Sequence, residues 1–173
     1  MKFSVNQKDL QNSLNYCQGV IEKRSTLPIL SNVLLEAKDS NLKITATDLD
    51  LIFIQNISNI EILEEGETTT SCTIMYDIVR KFKNNKKINF NLVSENKINL
   101  ESDKSSFNLN CLKATEFPVT ESNFTENEFI LNSKKLLKLL NKCKFSVSND
   151  ETRHYLSGIF LHLTENEDKK FLT

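Results

Sequence analysis

The residues of this chain that most clearly suggest a chemistry are lysines repeated along a predicted helix. Residues 133–148 hold five lysines and no acidic residue. Three of them recur every four residues and so share one helix face; we call them the lysine stripe, Lys134, Lys138 and Lys142. The opposite face carries Leu136, Leu140 and Cys143. Lysine charges suffice for non-specific contact with nucleic-acid phosphates, and a solvated helix surface is the alternative.

Two other helix ends are basic as well. A predicted helix over residues 73–83 ends in Arg80, Lys81 and Lys83, and Arg24 follows the first predicted helix. Acidic residues gather instead in strands and loops, as at residues 61–67. The formal net charge of -1 is therefore a near cancellation between basic helices and acidic strands. Such a separation lets one face meet a polyanion while the chain stays soluble.

Catalytic chemistry finds little support in the sequence. His154 beside Tyr155 is the one candidate acid-base pair, but no nucleophile or carboxylate has a spacing that joins it. A surface histidine beside a buried tyrosine is therefore favoured. Asp48 and Asp50 fit a tight turn better than a metal site, because no third ligand is near in the sequence. With three glycines in the chain, no glycine-rich phosphate loop is present.

Cysteine usage points to a reducing compartment. The four cysteines are widely spaced, without a C-x-x-C pair, which argues against a zinc site; we predict no metal and no cofactor. Charge precedes any apolar signal core at the N-terminus, and no apolar run reaches the roughly 18 to 20 residues of a membrane span. We expect a cytoplasmic protein with reduced, mostly buried thiols and no membrane partner.

These residues must be positioned by a mixture of strands and helices. Residues 2–6 read as a strand and residues 8–20 as a helix, with Leu10, Leu14, Cys17 and Ile21 on one face. Strands are predicted at 32–36, 42–47 and 51–57, and again at 68–71, 88–93, 97–101 and 106–112 around the 73–83 helix. The first 118 residues thus read as a strand, a helix and further strands written twice, an α+β pattern.

A longer repeat is the strongest internal signal. At an offset of 126, residues 3–35 match residues 129–161 without a gap, with eleven of 33 pairs identical. We expect a complete first domain at 1–118, a linker at 119–128 and the first part of a second domain at 129–173. A strand is predicted around residues 156–163, followed by a turn at 165–169. Because the second copy would leave an unpaired edge, we expect a longer repeat protein of which this is the N-terminal part.

Several short motifs occur in an order typical of one family. They are Met1-Lys2-Phe3, residues 26–30 (TLPIL), residues 45–49 (TATDL), Ala114-x-x-Phe117-Pro118 and residues 152–158 (TRHYLSG). In this order, with the 126-residue repeat, the chain resembles the bacterial DNA polymerase III β subunit, the sliding-clamp family. The resemblance covers the whole chain.

The resemblance implies a non-catalytic homodimeric ring around double-stranded DNA, with antiparallel sheets outside and helices inside. It would tether the replicative polymerase α subunit and be placed on DNA by a clamp loader.

By position, the resemblance implies roles for individual residues. Arg24, Asn149 and His154 would face the DNA by their positions in the family pattern. The basic helix residues Arg80, Lys81, Lys83 and the lysine stripe would face it because the helices would line the ring. The pocket for partner motifs would use Arg153, Tyr155 and Leu156. The subunit interface would use Phe107 and Leu109. A β-rich protein-interaction scaffold without a DNA role is the alternative.

Overall fold

The computed structural model describes residues 1–22, 26–84, 86–118, 130–150, 152–166 and 169–172. The chain forms two compact units, Met1–Glu121 and Ser122–Thr173. Each unit is described by itself below. No helix within the described ranges is long and apolar enough to cross a membrane.

The first half of the first unit is a strand and a helix followed by a meander. Strand β1 (Lys2–Asn6) leads into helix α1 (Gln7–Cys17), whose N-terminus is capped by the Asn6 side chain accepting from the Lys8 amide at 2.9 Å. A 3-10 turn at Pro28–Ser31 precedes strands β2 (Asn32–Lys38), β3 (Asn41–Thr47), β4 (Ile52–Ser58) and β5 (Glu61–Glu64). The meander prediction is confirmed, whereas the short strand β5 was not predicted.

The second half repeats this order. Strand β6 (Gly66–Ser71) leads into helix α2 (Cys72–Val79), capped by the Ser71 hydroxyl, and then into strands β7 (Lys87–Ser94), β8 (Lys97–Ser102) and β9 (Ser105–Leu112). The unit is therefore built from one pattern used twice, as the sequence predicts. Both helices end earlier than predicted, because backbone bonds of the tighter i to i+3 type take over after them, such as Phe82 N–H to the Val79 carbonyl at 3.2 Å.

The strands form antiparallel sheets in the order β4-β3-β2-β6-β9-β8-β7-β1-β5. The junction between β6 and β9 is short, with only Thr69 opposite Leu112 and Thr70 opposite Cys111. Strand β9 thus joins two sheets, and residues 105–110 have no strand partner on the side away from β8 among the described residues. The order of the strands leaves this stretch as a sheet edge.

The core lies between the sheets and the two helices. The predicted face of α1 is confirmed, since Leu10, Leu14, Cys17 and Ile21 are all buried. Opposite them, α2 contributes Cys72, Met75 and Val79, and the strands contribute aliphatic side chains and the stacked Phe3–Phe90 pair, with ring centroids 4.7 Å apart. This continuous apolar core holds both helix ends and the β9 edge in place.

The second unit begins as the repeat predicts. Helix α3 (Ser133–Cys143) lies 126 residues after α1 at both ends, and the Asn132 side chain caps it by accepting from the Lys135 amide at 3.2 Å, as Asn6 does for α1. A 3-10 turn at His154–Leu156 then matches the Pro28–Ser31 turn. Residues that determine local structure are thus conserved between the two copies.

One prediction for the second unit is wrong. Residues 156–163 do not form a strand; β10 (Leu163–Asn166) begins at the end of that range and pairs only with β11 (Lys169–Leu172). In the first unit, β2 is held between β3 and β6, and the described part of the second unit supplies no strand equivalent to β6. Cys143 is exposed rather than packed, while Leu136 and Leu140 are half-buried.

Candidate functional site

The end of α2 places several of the predicted DNA-facing residues in solvent. Arg80 is held locally, with its guanidinium 3.0 Å from the Asp77 carboxylate and 5.9 Å from the centre of the Tyr76 ring. Lys81 and Lys83 follow it and are exposed. The Arg80 charge is therefore partly matched on its own helix, while the two lysines point their charge outward.

The lysine stripe on α3 is exposed along its whole length, as predicted. Lys142 lies in the last helical turn, where its charge is also favourable to the helix dipole. No side chain of α3 is fully buried, so the stripe belongs to a helix that is accessible on several sides. The common face of the three lysines thus depends only on the helical conformation of α3.

The segment that carries Asn149 and the predicted residues of the partner-motif pocket forms a loop whose ends meet. The Ser148 amide donates to the Leu156 carbonyl at 2.9 Å, which brings the two ends of residues 148–156 together. Asn149 lies in this loop and is exposed. Arg153 lies with its Nε 3.5 Å from Asp150, and the His154–Leu156 turn follows. The structure therefore groups these predicted residues; the His154 side chain and the whole of Arg24 lie outside the described residues.

Two apolar residues of this loop face solvent. Tyr155 is 81% exposed and Leu156 43%. Tyr155 is thus not the buried tyrosine that the sequence favours. The equivalent turn of the first unit leaves Ile29 half-buried and Leu30 buried, so the turn alone does not set this exposure. Exposed apolar side chains next to Arg153 fit a surface that receives a short peptide better than they fit a catalytic centre.

Asp150 introduces a negative charge into this loop. Its carboxylate accepts from the Thr152 hydroxyl at 2.6 Å and from the Thr152 amide at 3.0 Å. These hydrogen bonds to Thr152 lower the pKa of Asp150 below its ordinary value. The aspartate is therefore firmly ionised at neutral pH, and it lies on the loop that also carries Asn149 and Arg153.

The β9 edge separates the two predicted interface residues. Phe107 is 41% exposed, and its ring meets the Phe82 ring edge-on with centroids 5.8 Å apart. Leu109 is 6% exposed and belongs to the core of the first unit. Phe107 is thus available at the unpaired edge, whereas Leu109 anchors the same strand from inside.

The remaining chemical candidates have structural explanations. The Asp48 carboxylate accepts from the Leu51 and Asp50 amides at 2.7 and 3.1 Å, which is the predicted tight turn. Cys17, Cys72 and Cys111 are buried and form no disulfide, as expected for mostly buried thiols; a hydrogen bond with Cys72 and burial raise the pKa of Cys17. Within the described ranges, no group of three or more His, Cys, Asp or Glu side chains could hold a metal ion.

Comparison with known proteins identifies the family. The family profile described as "DNA polymerase III beta subunit, N-terminal domain" matches residues 1–121. The chain belongs to this family. The chain is 34% identical over 169 residues to the beta sliding clamp of Caulobacter vibrioides, covering 96% of this chain and 45% of that protein. It is 32% identical over 168 residues to that of Escherichia coli, covering 97% and 45%.

Solved clamp structures have the same fold. The sliding clamp of Bartonella birtlesii, solved bound to griselimycin, superposes with a TM-score of 0.92 at 33% identity, over 99% of this chain and 45% of that chain. The predicted α+β clamp fold is therefore confirmed. The chain spans about half the length of the clamps that it matches.

One part of the basic surface was not among the predicted sites. Lys86 and Lys104 line the same groove as Lys81 and Lys83, although Lys104 lies far from them in the sequence. Its position depends on the turn between β8 and β9, which returns the chain to the end of α2. The strands predicted at 97–101 and 106–112 could have indicated the position of Lys104, because the turn that joins them must lie at one end of the sheet.

Proposed function

We propose that this chain is part of a DNA sliding clamp, a non-catalytic ring that encircles double-stranded DNA and tethers a replicative polymerase. The observation that carries the proposal is the likeness to sliding clamps along 96% of the chain. Residues 1–118 would be the first clamp domain, 119–128 a linker, and 129–173 the opening part of the second. The protein would act in the bacterial cytoplasm, with the polymerase α subunit and the clamp loader as partners.

Charge on the helices supports a role in enclosing DNA. The lysine stripe, Lys81 and Lys83 present exposed positive charge on or next to helices, while the net charge of the chain is only -1. A ring needs little binding energy, because a closed ring cannot leave a closed DNA circle. Arg24, Asn149 and His154 are proposed to face the same DNA by their positions in the family pattern, and Arg80 by its place at the basic end of α2. Asp150 would weaken contact by its loop.

The free β9 edge supports a subunit interface. Residues 105–109 have no strand partner on this side among the described residues, and Phe107 offers an exposed ring beside them; the Asn110 carbonyl already accepts from the Thr70 hydroxyl at 3.0 Å. A strand of a second subunit that pairs here would satisfy the backbone and cover Phe107. Leu109 would hold the strand in place from the core. If the strand that pairs with β9 comes from the opposite end of an identical subunit, two subunits joined head to tail close into a homodimeric ring.

The exposed loop 148–156 supports a surface for partner motifs. Tyr155 and Leu156 present apolar area on the same loop as Arg153, which suits a short segment with an apolar anchor; the Arg153 guanidinium itself lies 3.5 Å from the Asp150 carboxylate. The polymerase and the loader would take turns at this surface.

Retention on circular DNA tests the ring. Protein expressed from the whole reading frame that contains residues 1–173 is loaded on nicked circular duplex and passed through a sizing column, before and after the circle is linearised. We expect protein to stay with the circle and to leave the linear form. Equal retention on both forms would mean ordinary binding. No loader-dependent retention on either form would favour the interaction scaffold.

A further inference from the structure

Two buried cysteines lie together where the end of α1 meets the start of α2. The Cys72 Sγ lies 3.9 Å from the Leu14 carbonyl oxygen and 3.4 Å from the Gln18 Nε2, and these two residues flank Cys17 on the last turn of α1. Cys17 and Cys72 are both 0% exposed, and their thiols are hydrogen-bonded to each other. The fold therefore brings together two thiols that are distant in the sequence.

The surroundings of the two sulfurs differ. Cys72 is the first residue of α2, directly after the Ser71 cap, and the Gln18 side-chain amide donates to its sulfur. A helix N-terminus and an amide donor both favour negative charge on the Cys72 sulfur. The hydrogen bond with Cys72 and burial raise the pKa of the Cys17 thiol, so Cys17 keeps its proton. Cys72 is thus suited to react first as a thiolate, with Cys17 as its partner thiol.

Gln18 is the polar side chain next to the Cys72 sulfur on the solvent side. Its amide nitrogen lies 3.4 Å from the Cys72 Sγ and 3.4 Å from the Thr73 Oγ1, and the residue is half-buried. The neighbouring residues Gly19 and Ile74 are exposed. Displacement of this one side chain would bring a molecule as small as hydrogen peroxide to the sulfur without rearrangement of the core.

Cys111 shows what a buried cysteine of this unit looks like without such a neighbour. Its thiol lies 3.9 Å from the Leu109 carbonyl oxygen, and burial raises its pKa. The hydrogen bonds that oppose this rise come from the hydroxyls of Thr68 and Thr70 and from backbone, not from a second thiol. Cys111 is therefore a matched control for the Cys17–Cys72 pair.

We infer that Cys17 and Cys72 form a site of reversible oxidation, at which hydrogen peroxide converts the two thiols into a disulfide that joins α1 to α2. The Cys72 thiolate attacks one peroxide oxygen and the O–O bond breaks; the hydroxide that leaves combines with the Cys72 proton to form water, and Cys72 becomes a sulfenic acid. The Cys17 sulfur then attacks the Cys72 sulfur and the S–O bond breaks. The hydroxyl group leaves with the Cys17 proton as a second water, so the peroxide gains the two electrons that the thiols lose.

The product suits the place where it forms. A disulfide carries no charge and no polar hydrogen, so it costs nothing in desolvation inside an apolar core. It closes a loop of about 55 residues within the first unit and should raise its melting temperature by roughly 10 °C, because the unfolded chain loses freedom. Reducing conditions keep the pair as thiols. The inference does not depend on the proposed function, since both helices belong to the first unit alone.

Peptide mapping tests the cross-link directly. The 173-residue chain carrying Cys143→Ser, which removes the exposed thiol, is treated with hydrogen peroxide while folded, alkylated in denaturant and digested without reductant. We expect one peptide pair joined through Cys17 and Cys72, lighter by two hydrogens than the separate peptides, and a melting temperature that returns to the untreated value with dithiothreitol. Cys17→Ala or Cys72→Ala should abolish the cross-link and the shift, whereas Cys111→Ala should retain both.

Gln18→Glu tests the role of the Cys72 sulfur. The new carboxylate would lie beside that sulfur and disfavour negative charge on it, so cross-linking at neutral pH should slow several-fold. Asn12→Asp is the control, because it adds the same charge to α1 at an exposed position. Equal rates in the two variants would contradict Cys72 as the sulfur that reacts first.

Three results would overturn the inference as a whole. They are recovery of both thiols in alkylated form under conditions that fully oxidise free glutathione, a disulfide that involves Cys111 instead, and a Cys17–Cys72 disulfide that forms only in urea-unfolded chain. A cross-linked chain that melts no higher than the reduced one would reject the stabilising role. The peptide map is obtained from protein that retains both cysteines, so a variant that fails to fold cannot produce or hide the result.

Discussion

Phe107 and Leu109 on β9 give the sharpest test of the proposed subunit interface, because one is exposed at the strand edge and the other is buried in the core. Leu109 is 6% exposed and part of the core, so Leu109→Ala should create a cavity and cost about 3 kcal/mol in unfolding free energy. Phe107 is 41% exposed and contacts the Phe82 ring at 5.8 Å, so Phe107→Ala should cost only about 1 kcal/mol. The order is reversed for association: an exposed aromatic residue at a subunit interface is worth about 2 kcal/mol or more, which is about 30-fold in the dissociation constant for each of the two interfaces of a dimeric ring.

The two effects are measured separately. Urea unfolding of the 173-residue chain, followed by circular dichroism, gives the stability of the first unit. Sedimentation of protein from the whole reading frame gives the dimer dissociation constant. Val93→Ala is a control, since Val93 is exposed on β7, which β8 separates from β9, and it should change stability by less than about 0.5 kcal/mol. A Phe107→Ala variant with unchanged association and an intact fold would refute the assignment of this edge to the interface.

Three further predictions concern the helices and one exposed ion pair. Leu14→Ala should lower stability by about 3 kcal/mol and Leu140→Ala by no more than about 1 kcal/mol, since the first is fully buried and the second half-buried; equal losses in urea unfolding would contradict this. Replacing the lysine stripe with glutamine should flatten the salt dependence of clamp loading, and an unchanged slope would return it to plain surface. Lys87 at 3.1 Å lowers the pKa of Glu61 from its ordinary value of 4.5. Lys87→Gln should raise that pKa, as NMR titration would show, and remove stability that wild type has above pH 4.5 and loses as pH falls through the lowered value.

Much of the first unit could be predicted because its signals are local. The alternation of apolar residues predicts β2, β3 and β4, and the four-residue spacing of Leu10 and Leu14 predicts the buried face of α1. Strand β5 was not predicted because Glu61–Glu64 is short, half acidic and mostly exposed, and it is held by pairing with β1. Pairing partners are not visible in a strand's own sequence.

The candidate site likewise contains features that a segment's own sequence determines and features that depend on distant segments. The lysine stripe needs only a helix, so its exposure follows from the sequence. The groove that joins Lys104 to Lys81 needs the register of β8 and β9, in which Ser102 pairs with Ser105 across the turn. The different burial of Phe107 and Leu109 needs the position of β6, which covers only the end of β9. Both features depend on contacts between distant segments.

The repeat shows most directly how local and distant contributions differ. Cys17 and Cys143 occupy equivalent positions in two helices with equivalent ends and equivalent asparagine caps, yet the first is fully buried and the second exposed. Caps and helix propensity act within a few residues, so the second copy reproduces them from its own sequence. Burial of the apolar face requires a sheet. The first unit supplies β3 and β4 against α1, whereas the described part of the second unit supplies the single β10–β11 hairpin. The apolar face of α3, made of Leu136, Leu140 and Cys143, therefore has the spacing of a core face but is not fully buried. The same spacing on α1 places Leu10, Leu14 and Cys17 in the core that stabilises the first unit.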